Sequence, residues 1–370
     1  MAEALRAAAE KKQSIRLEGA GSKRRMGGPP APAEVHLSAA ALDRLIGYDP
    51  RDLTISVEAG MPWRVLTETA AAHRQMIPLD PPGAAAATVG GVVAANCSGP
   101  RRRLYGAARD QVIGVRAATL DGALIQSGGM VVKNVAGYDL QKLLTGSFGT
   151  LAALVSVNFK LAPMPEAEAT FALAYPSGEA ASAACAQVLR GALIPSAIEL
   201  LNPAAAARFG LVEEYVLLVR AGGNSRVLDR FARELPGASR LEGEEHAALW
   251  RRVEDFAPDA AARPEAAIVR AGFPMQSLAK VMALAQGPAV ARAGNGLAWL
   301  EYPDAPSAAA GLHTLHAAGA RAPLEWTGDA APADLERWPD PGPALDAMRE
   351  VKKLFDPLGL LNPGRLHGRI

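Results

Sequence analysis

The chain has 370 residues, with 39 Lys and Arg against 38 Asp and Glu and a formal net charge of +1, so no overall field draws it to nucleic acid or to an anionic membrane. Its length allows two or three packed domains with a sizeable core. The two cysteines, Cys97 and Cys185, lie far apart in sequence, which excludes a disulfide-stapled miniature and a zinc knuckle and fits a reducing compartment.

Residues 1–16 mix acids and bases in an alanine-rich helical pattern without the apolar core of a signal peptide. Short β runs follow at 15–19, 34–38 and 53–60, and then a helix over 61–74. Residues 81–100, PPGAAAATVGGVVAANCSGP, carry no charge. That length would span a membrane, but the run lacks Leu, Ile and Phe, and its Pro, Gly, Asn and Ser suit a lipid-facing helix badly. It reads as a buried turn and helix beside a ligand. Residues 111–126 alternate about Asp121-Gly122 as a hairpin does, after which a short helix closed by Gly146 and a buried strand stopped by Pro163 are expected.

The prolines of Pro163-Met164-Pro165-Glu166 mark a domain boundary. From there strands and helices repeat, with helices expected over 177–189, 224–235, 275–285 and 307–318. The pattern predicts an antiparallel sheet covered by helices. Residues 326–343 read as a loop rich in Pro and Asp. Leu345, Met348, Val351 and Phe355 then recur at helical spacing, and the tail beyond Pro357 is apolar enough to pack back on the protein. The fold class expected is α+β, with domains over 1–165 and 166–325 and a linker, helix and returning tail over 326–370.

Several glycine-rich segments could carry chemistry. Gly19-Ala20-Gly21-Ser22-Lys23-Arg24 follows a β run, and its glycines let backbone N–H groups converge on an anion. A tight turn with exposed bases is the alternative. The segment is neither a Rossmann fingerprint, because Arg24 stands at the third glycine position, nor a Walker A loop. Thr88-Val89-Gly90-Gly91 allows close backbone approach to a flat ring or, alternatively, tight helix packing. Lys133 could meet an anionic planar cofactor or bridge to Asp139. Arg101-Arg102-Arg103 is either a solvated face or a docking site for an acidic substrate or partner. His313 and His316 share a helix face, but no nearby Cys or acid completes a metal site. His36, His73, His246 and His367 read as surface or capping residues, and Cys97 as a small buried hydrophobe.

Taken in succession, GAGSK, ATVGGVVAANCSGPRR, KNVAGYDLQKLLTGSFGTL and FDPLGLLNPGR resemble the vanillyl-alcohol-oxidase-type (PCMH-type) flavoproteins, and among them the FAD-binding subunits of bacterial glycolate oxidases. The resemblance implies a PCMH-type FAD-binding domain followed by a smaller antiparallel α+β cap or substrate domain. It places Gly19, Ala20, Gly21, Ser22, Lys23 and Arg24 at the FAD pyrophosphate. Thr88, Val89, Gly90 and Gly91, with Ser98 and Gly99, would run beside the diphosphate and isoalloxazine. Lys133 and Gly137 would also meet the cofactor, as would Ser147, Gly149, Thr150 and Leu151 of the GSxGTL element, with Val155 near the adenine. Asn362 and Gly364 would belong to a C-terminal NPG(K/R) segment returning to the flavin domain.

The resemblance implies further that the catalytic FAD subunit of such an oxidase carries an H-x-G-D-G-N-x-H element. Here the equivalent is Arg292-Ala293-Gly294-Asn295-Gly296-Leu297, with neither histidine nor the aspartate. Oxidation of a 2-hydroxy acid needs a base at the hydroxyl proton while hydride passes to the flavin. The catalytic residues are therefore unknown. The chain is expected to be an accessory FAD subunit for oxidation of glycolate to glyoxylate, at the inner membrane face of the cytoplasm through its complex. Its partners would be a catalytic FAD subunit and an iron–sulfur subunit, since no cysteine cluster here could hold an Fe–S centre. No histidine lies in GAGSKRRMG, so the FAD is expected to be non-covalent. A self-sufficient 2-hydroxy-acid dehydrogenase and a redox-inactive scaffold remain the alternatives.

Overall fold

The structure is a computed structural model that describes residues 1–131, 137–367 and 370. The chain folds into two units. Unit 1 holds Met1–Ser98, Gly106–Met164 and Asp340–Ile370, and unit 2 holds Gly99–Tyr105 and Pro165–Pro339.

In unit 1, α1 (Ala2–Glu10) is followed by β1 (Ile15–Glu18), β2 (Val35–Ser38), β3 (Leu45–Asp49), β4 (Thr54–Glu58), α2 (Trp63–Ala71), β5 (Gln75–Met76) and α3 (Val89–Ala94). The chain then contributes α4 (Arg102–Tyr105) to unit 2 before α5 (Ala108–Gln111), β6 (Val112–Ala118), β7 (Leu124–Gly128), α6 (Leu140–Leu144), β8 (Ala153–Lys160) and β9 (Ala162–Pro163). Strands β1 and β2 pair in parallel, β5 pairs β9, and an antiparallel sheet runs β3-β4-β8-β6-β7. Its register puts Val57 opposite Val157 and Val157 opposite Val115, all buried. That row fixes which face of the central strands is apolar, because a one-residue slip would reverse every side chain. At the β6–β7 hairpin Gly122 has φ +83° and the Thr119 hydroxyl donates to Asp121 at 2.5 Å.

Unit 2 continues with β10 (Ala167–Tyr175), α7 (Gly178–Arg190), β11 (Ala197–Leu201), α8 (Pro203–Arg208), β12 (Tyr215–Gly223), α9 (Ser225–Glu234), β13 (Ser239–Glu242), α10 (Gly243–Glu254) and α11 (Phe256–Ala260). It ends with β14 (Ala267–Gly272), α12 (Leu278–Ala283), β15 (Ala289–Arg292), β16 (Leu297–Tyr302), α13 (Ala305–Ala317) and β17 (Leu324–Thr327). Its strands form one antiparallel sheet in the order β13-β10-β12-β11-β15-β16-β14-β17. One face, with Phe171, Leu200, Val219 and Leu300, packs on Cys185, Phe231, Val281 and Leu315 of α7, α9, α12 and α13. The other carries Leu201, Val216, Leu218 and Val290 against Ala205, Trp250 and Phe256. Helix starts are set by side-chain caps: Ser177, Asn202, Asn224 and Asp304 accept from the N–H groups of Ala180, Ala205, Val227 and Ser307.

Two segments differ from the sequence expectation. Residues 326–327, the first two of the expected loop, belong to β17 (Leu324–Thr327), because Leu324 and Trp326 are buried and the strand pairs with β14. The Arg101-Arg102-Arg103 segment belongs to unit 2. Helix α10 and strand β13 lie in a stretch for which the sequence pattern makes no prediction.

After the loop, α14 (Ala344–Phe355) and the tail belong to unit 1. The apolar tail does pack back: Leu360 and Leu361 join Leu5, Ala8 and Ile15 in one core cluster. Ile15 N–H donates to Leu360 O at 2.8 Å and Asn362 N–H to Ile15 O at 2.9 Å. Beneath it the Lys352 ammonium donates to the carbonyls of Thr150 at 2.8 Å and Leu361 at 3.0 Å and pairs with the fully buried Asp356 at 2.7 Å. Asp356 in turn accepts from the N–H groups of Leu360 and Leu361.

Candidate functional site

A cleft opens in unit 1, lined mostly by apolar side chains with a few polar and charged groups, as ligand sites commonly are. Three chain segments build it. The loop after β1 supplies Gly19, Ala20, Gly21, Ser22, Lys23 and Arg24. The start of α3 supplies Thr88, Gly90 and Gly91, and the turn before β8 meets the C-terminal segment at Gly149 and Asn362.

The glycines are there for closeness. A Cβ on Gly19 would stand 2.0 Å from Thr88 Oγ1, and one on Gly90 would stand 2.9 Å from Ala59 O, whose carbonyl already accepts the Gly90 N–H at 2.6 Å. Thr88 caps α3 by accepting from Gly91 N–H at 3.4 Å, so the first loop lies against the N-terminus of that helix. Small side chains, among them Ala59, Ala94, Ala95, Ala152 and Ala153, line part of the rest.

Charge gathers at the loop. Arg24 pairs with Glu18 at 2.6 Å, and the hydrogen bond from Arg24 holds the Glu18 carboxyl below its usual pKa. Lys23 is buried and donates to Pro82 O. Arg16 donates to Ala31 O at 3.0 Å, while its buried Nε meets no acceptor among the described residues.

Two C-terminal side chains lock these segments. Arg365 is buried, lies over the Phe148 ring at 5.1 Å, and donates to the carbonyls of Lys23, Arg24 and Gly28 at 2.7–3.1 Å. Asn362 accepts from Leu17 N–H at 2.7 Å and donates to Leu17 O at 3.1 Å and to Phe148 O at 2.7 Å. Together they tie the glycine loop, strand β1 and the 146–150 turn into one frame.

The other sequence-predicted residues lie elsewhere. The Ser147 hydroxyl donates to Leu144 O and the Thr150 hydroxyl to Ser147 O, so both shape the turn, and Val89, Ser98 and Leu151 are buried away from the cleft lining. Val155 packs beside the tail cluster and Gly364 sits at φ +86°. Gly137 is exposed at φ +78°. Gly99 falls in unit 2, and Lys133 lies outside the described residues. The sequence reading missed Arg16, Phe148 and the role of Arg365. For Arg16 the only hint was a cation shortly before the loop.

In unit 2, Arg101 pairs with Glu168 at 2.9 Å, and Arg220 pairs with the same carboxylate at 3.1 Å. Burial opposes the Glu168 charge, but the two guanidiniums win and bring its pKa down to about 2. His246 is buried, not a surface residue. Trp250 Nε1–H donates to Thr170 Oγ1 at 2.8 Å, and the same hydroxyl is hydrogen-bonded to His246 Nδ1 at 2.8 Å. At the β15–β16 turn the Arg292 guanidinium stacks on Trp299 at 4.1 Å. Among the described residues no group of His, Cys, Asp and Glu could hold a metal ion, and no helix is long and apolar enough to cross a membrane.

Residues 1–139 match the family described as FAD binding domain, and residues 164–269 and 338–366 match the C-terminal domain of FAD linked oxidases. Glycolate oxidase subunit GlcE of Escherichia coli (strain K12) is 30% identical over 329 residues, which cover 88% of this chain and 85% of that protein. The chain belongs to the FAD-linked oxidase family. Glycolate oxidase subunit GlcD of Bacillus subtilis (strain 168) is 32% identical over 44% of this chain and 34% of its own length. A solved alkyldihydroxyacetonephosphate synthase superposes with a TM-score of 0.70 at 17% identity, covering 98% of this chain and 73% of that one, and so speaks for the fold alone. As a member of this family the chain is an oxidoreductase and binds FAD. The cleft fits such a group: its glycines let the lining segments approach one another where a Cβ would clash, and Arg16, Lys23 and Arg24 stand among its lining residues.

Proposed function

We propose that this chain is the FAD-carrying accessory subunit of a glycolate oxidase complex that converts glycolate to glyoxylate with a separate catalytic FAD subunit and an iron–sulfur subunit. The observation that carries this reading is the contrast between the units. Unit 1 holds a framed, glycine-edged cofactor cleft. In unit 2 the 292–297 turn offers a stacked guanidinium where alcohol oxidation requires a proton acceptor. The likeness to the E. coli GlcE subunit along most of both chains supports the same reading.

Bound FAD supplies the two-electron acceptor. The backbone N–H groups of residues 19–23 would bind its diphosphate. Arg365 and Asn362 keep those segments in place without touching the reacting atoms. The 19–24 loop has no histidine or cysteine, in keeping with non-covalent binding there.

The test is the visible spectrum of the purified chain, recorded anaerobically before and after glycolate is added. Flavin bands that stay unbleached by glycolate alone, but bleach once the partner subunits are added, are expected. Bleaching of the isolated chain would move turnover onto it, and a colourless protein that FAD cannot reconstitute would overturn the reading.

A further inference from the structure

The three consecutive arginines of α4 and its approach meet different fates. Arg101 is absorbed into the ion cluster with Glu168 and Arg220. Elsewhere in unit 2, Arg208 and Arg263 both pair with Glu301, and Arg270 pairs with Glu325 at 2.6 Å. Arg103 has no such carboxylate. Among the described residues no carboxylate or carbonyl meets its guanidinium, and its Nε is buried with no acceptor.

A half-buried guanidinium without a counter-charge is costly to keep, since desolvation is not offset by an ion pair. Burial accordingly pushes the Arg103 pKa down, and no carboxylate raises it again. The nearby Cys185 thiol does not supply the missing charge: burial pushes its pKa up to about 11, so it stays neutral.

The surroundings hold Arg103 in position. Its side chain lies against Gly294, where a Cβ would come within 2.6 Å of Arg103 Cδ and 3.0 Å of Nε. Gly294 belongs to the β15–β16 turn, which Asn295 N–H closes onto Arg292 O at 2.9 Å. A glycine here makes room for a cation, and the cation lies beside the turn that carries Arg292.

We propose that Arg103, seated on the Gly294 turn, is the anchor of a carboxylate-binding subsite that takes a small 2-hydroxy or 2-oxo acid. The planar guanidinium fork matches a carboxylate through two parallel hydrogen bonds, and a bound carboxylate supplies the counter-charge that the chain itself lacks. The choice of a 2-hydroxy or 2-oxo acid rests on the proposed glycolate oxidase role. On the accessory-subunit reading the subsite binds without turnover. It would thereby hold substrate or product on the accessory subunit.

The test is calorimetric titration of the full, FAD-loaded chain with glycolate, glyoxylate, ethylene glycol and inorganic phosphate. Flavin absorbance, recorded for each variant, reports cofactor loading separately. Saturable binding of glycolate or glyoxylate is expected, with none for ethylene glycol, which lacks the carboxylate. Arg103→Gln should weaken glycolate binding at least about tenfold, as loss of a charge-assisted hydrogen bond does, and Arg103→Lys by less. Gly294→Ala leaves the charge in place but displaces the side chain, and should weaken binding similarly with full FAD content. Unchanged affinity in Arg103→Gln would overturn the proposal, as would no saturable binding to the FAD-loaded protein or tighter binding of phosphate than of glycolate. Those failures would leave the accessory-subunit reading intact, because that reading is tested by flavin content and by reduction in the assembled complex.

Discussion

Asn362 offers the sharpest test of how the cofactor cleft is held. Its side chain is 7% exposed, makes three hydrogen bonds to the backbone of Leu17 and Phe148, and its own backbone has φ +40°. Asn362→Gly removes the side chain but tolerates the left-handed backbone, and three net hydrogen bonds at about 1 kcal/mol each give a loss of about 3 kcal/mol. Asn362→Ala adds the left-handed penalty of about 1 kcal/mol, for about 4 kcal/mol in all. Both losses lie within the stability of an ordinary domain, about 5–15 kcal/mol, so the variants should still fold. Freed of this tie, β1 and the 146–150 turn no longer hold fixed positions at the cleft, and FAD should dissociate at least about tenfold more readily. Urea unfolding followed by tryptophan fluorescence, together with FAD titration, measures both effects. The reasoning is refuted if Asn362→Gly matches the parent within about 0.5 kcal/mol and retains its FAD, or if the alanine variant is no less stable than the glycine variant.

Three further outcomes follow from the same frame. Gly19→Ala should lower FAD affinity sharply because of the 2.0 Å approach to Thr88 Oγ1, and adding Thr88→Ala should restore part of it; titration of both variants and the double checks this coupling. Lys352→Met leaves the buried Asp356 carboxylate without its cation and should cost about 3–5 kcal/mol in urea unfolding, whereas Asp356→Asn combined with it should recover part of the loss. On acidification unit 2 should weaken in two stages. His246 is held neutral chiefly by burial and then by Arg220, which bring its pKa from 6.5 to about 4, so the unfolded chain takes up the proton first and stability falls between those values. Glu168, depressed from 4.5 to about 2, adds its loss between those lower values. Unfolding midpoints against pH should show the upper stage disappear in His246→Asn and the lower one in Glu168→Gln.

Local chemistry made much of this protein legible from its residues alone. The Asp121-Gly122 hairpin, the capped starts of α7 and α9, the uncharged run that becomes α3, and the glycine loop of the cleft all depend on conformational preferences within a few positions. The order of the glycine segments also carried the family resemblance. Tertiary structure decided what depends on partners distant in the chain. Leu324 and Trp326 form a strand only because β14 offers them an edge. Arg365 and Asn362 act on residues more than 200 positions away, so their spacing from the loop they lock is invisible to any local pattern. Arg101 and Arg103 read alike in sequence, yet one is neutralised by Glu168 and the other is left with its charge uncompensated. Which carboxylate a guanidinium finds is settled by packing, and the sequence by itself supplies only the charges.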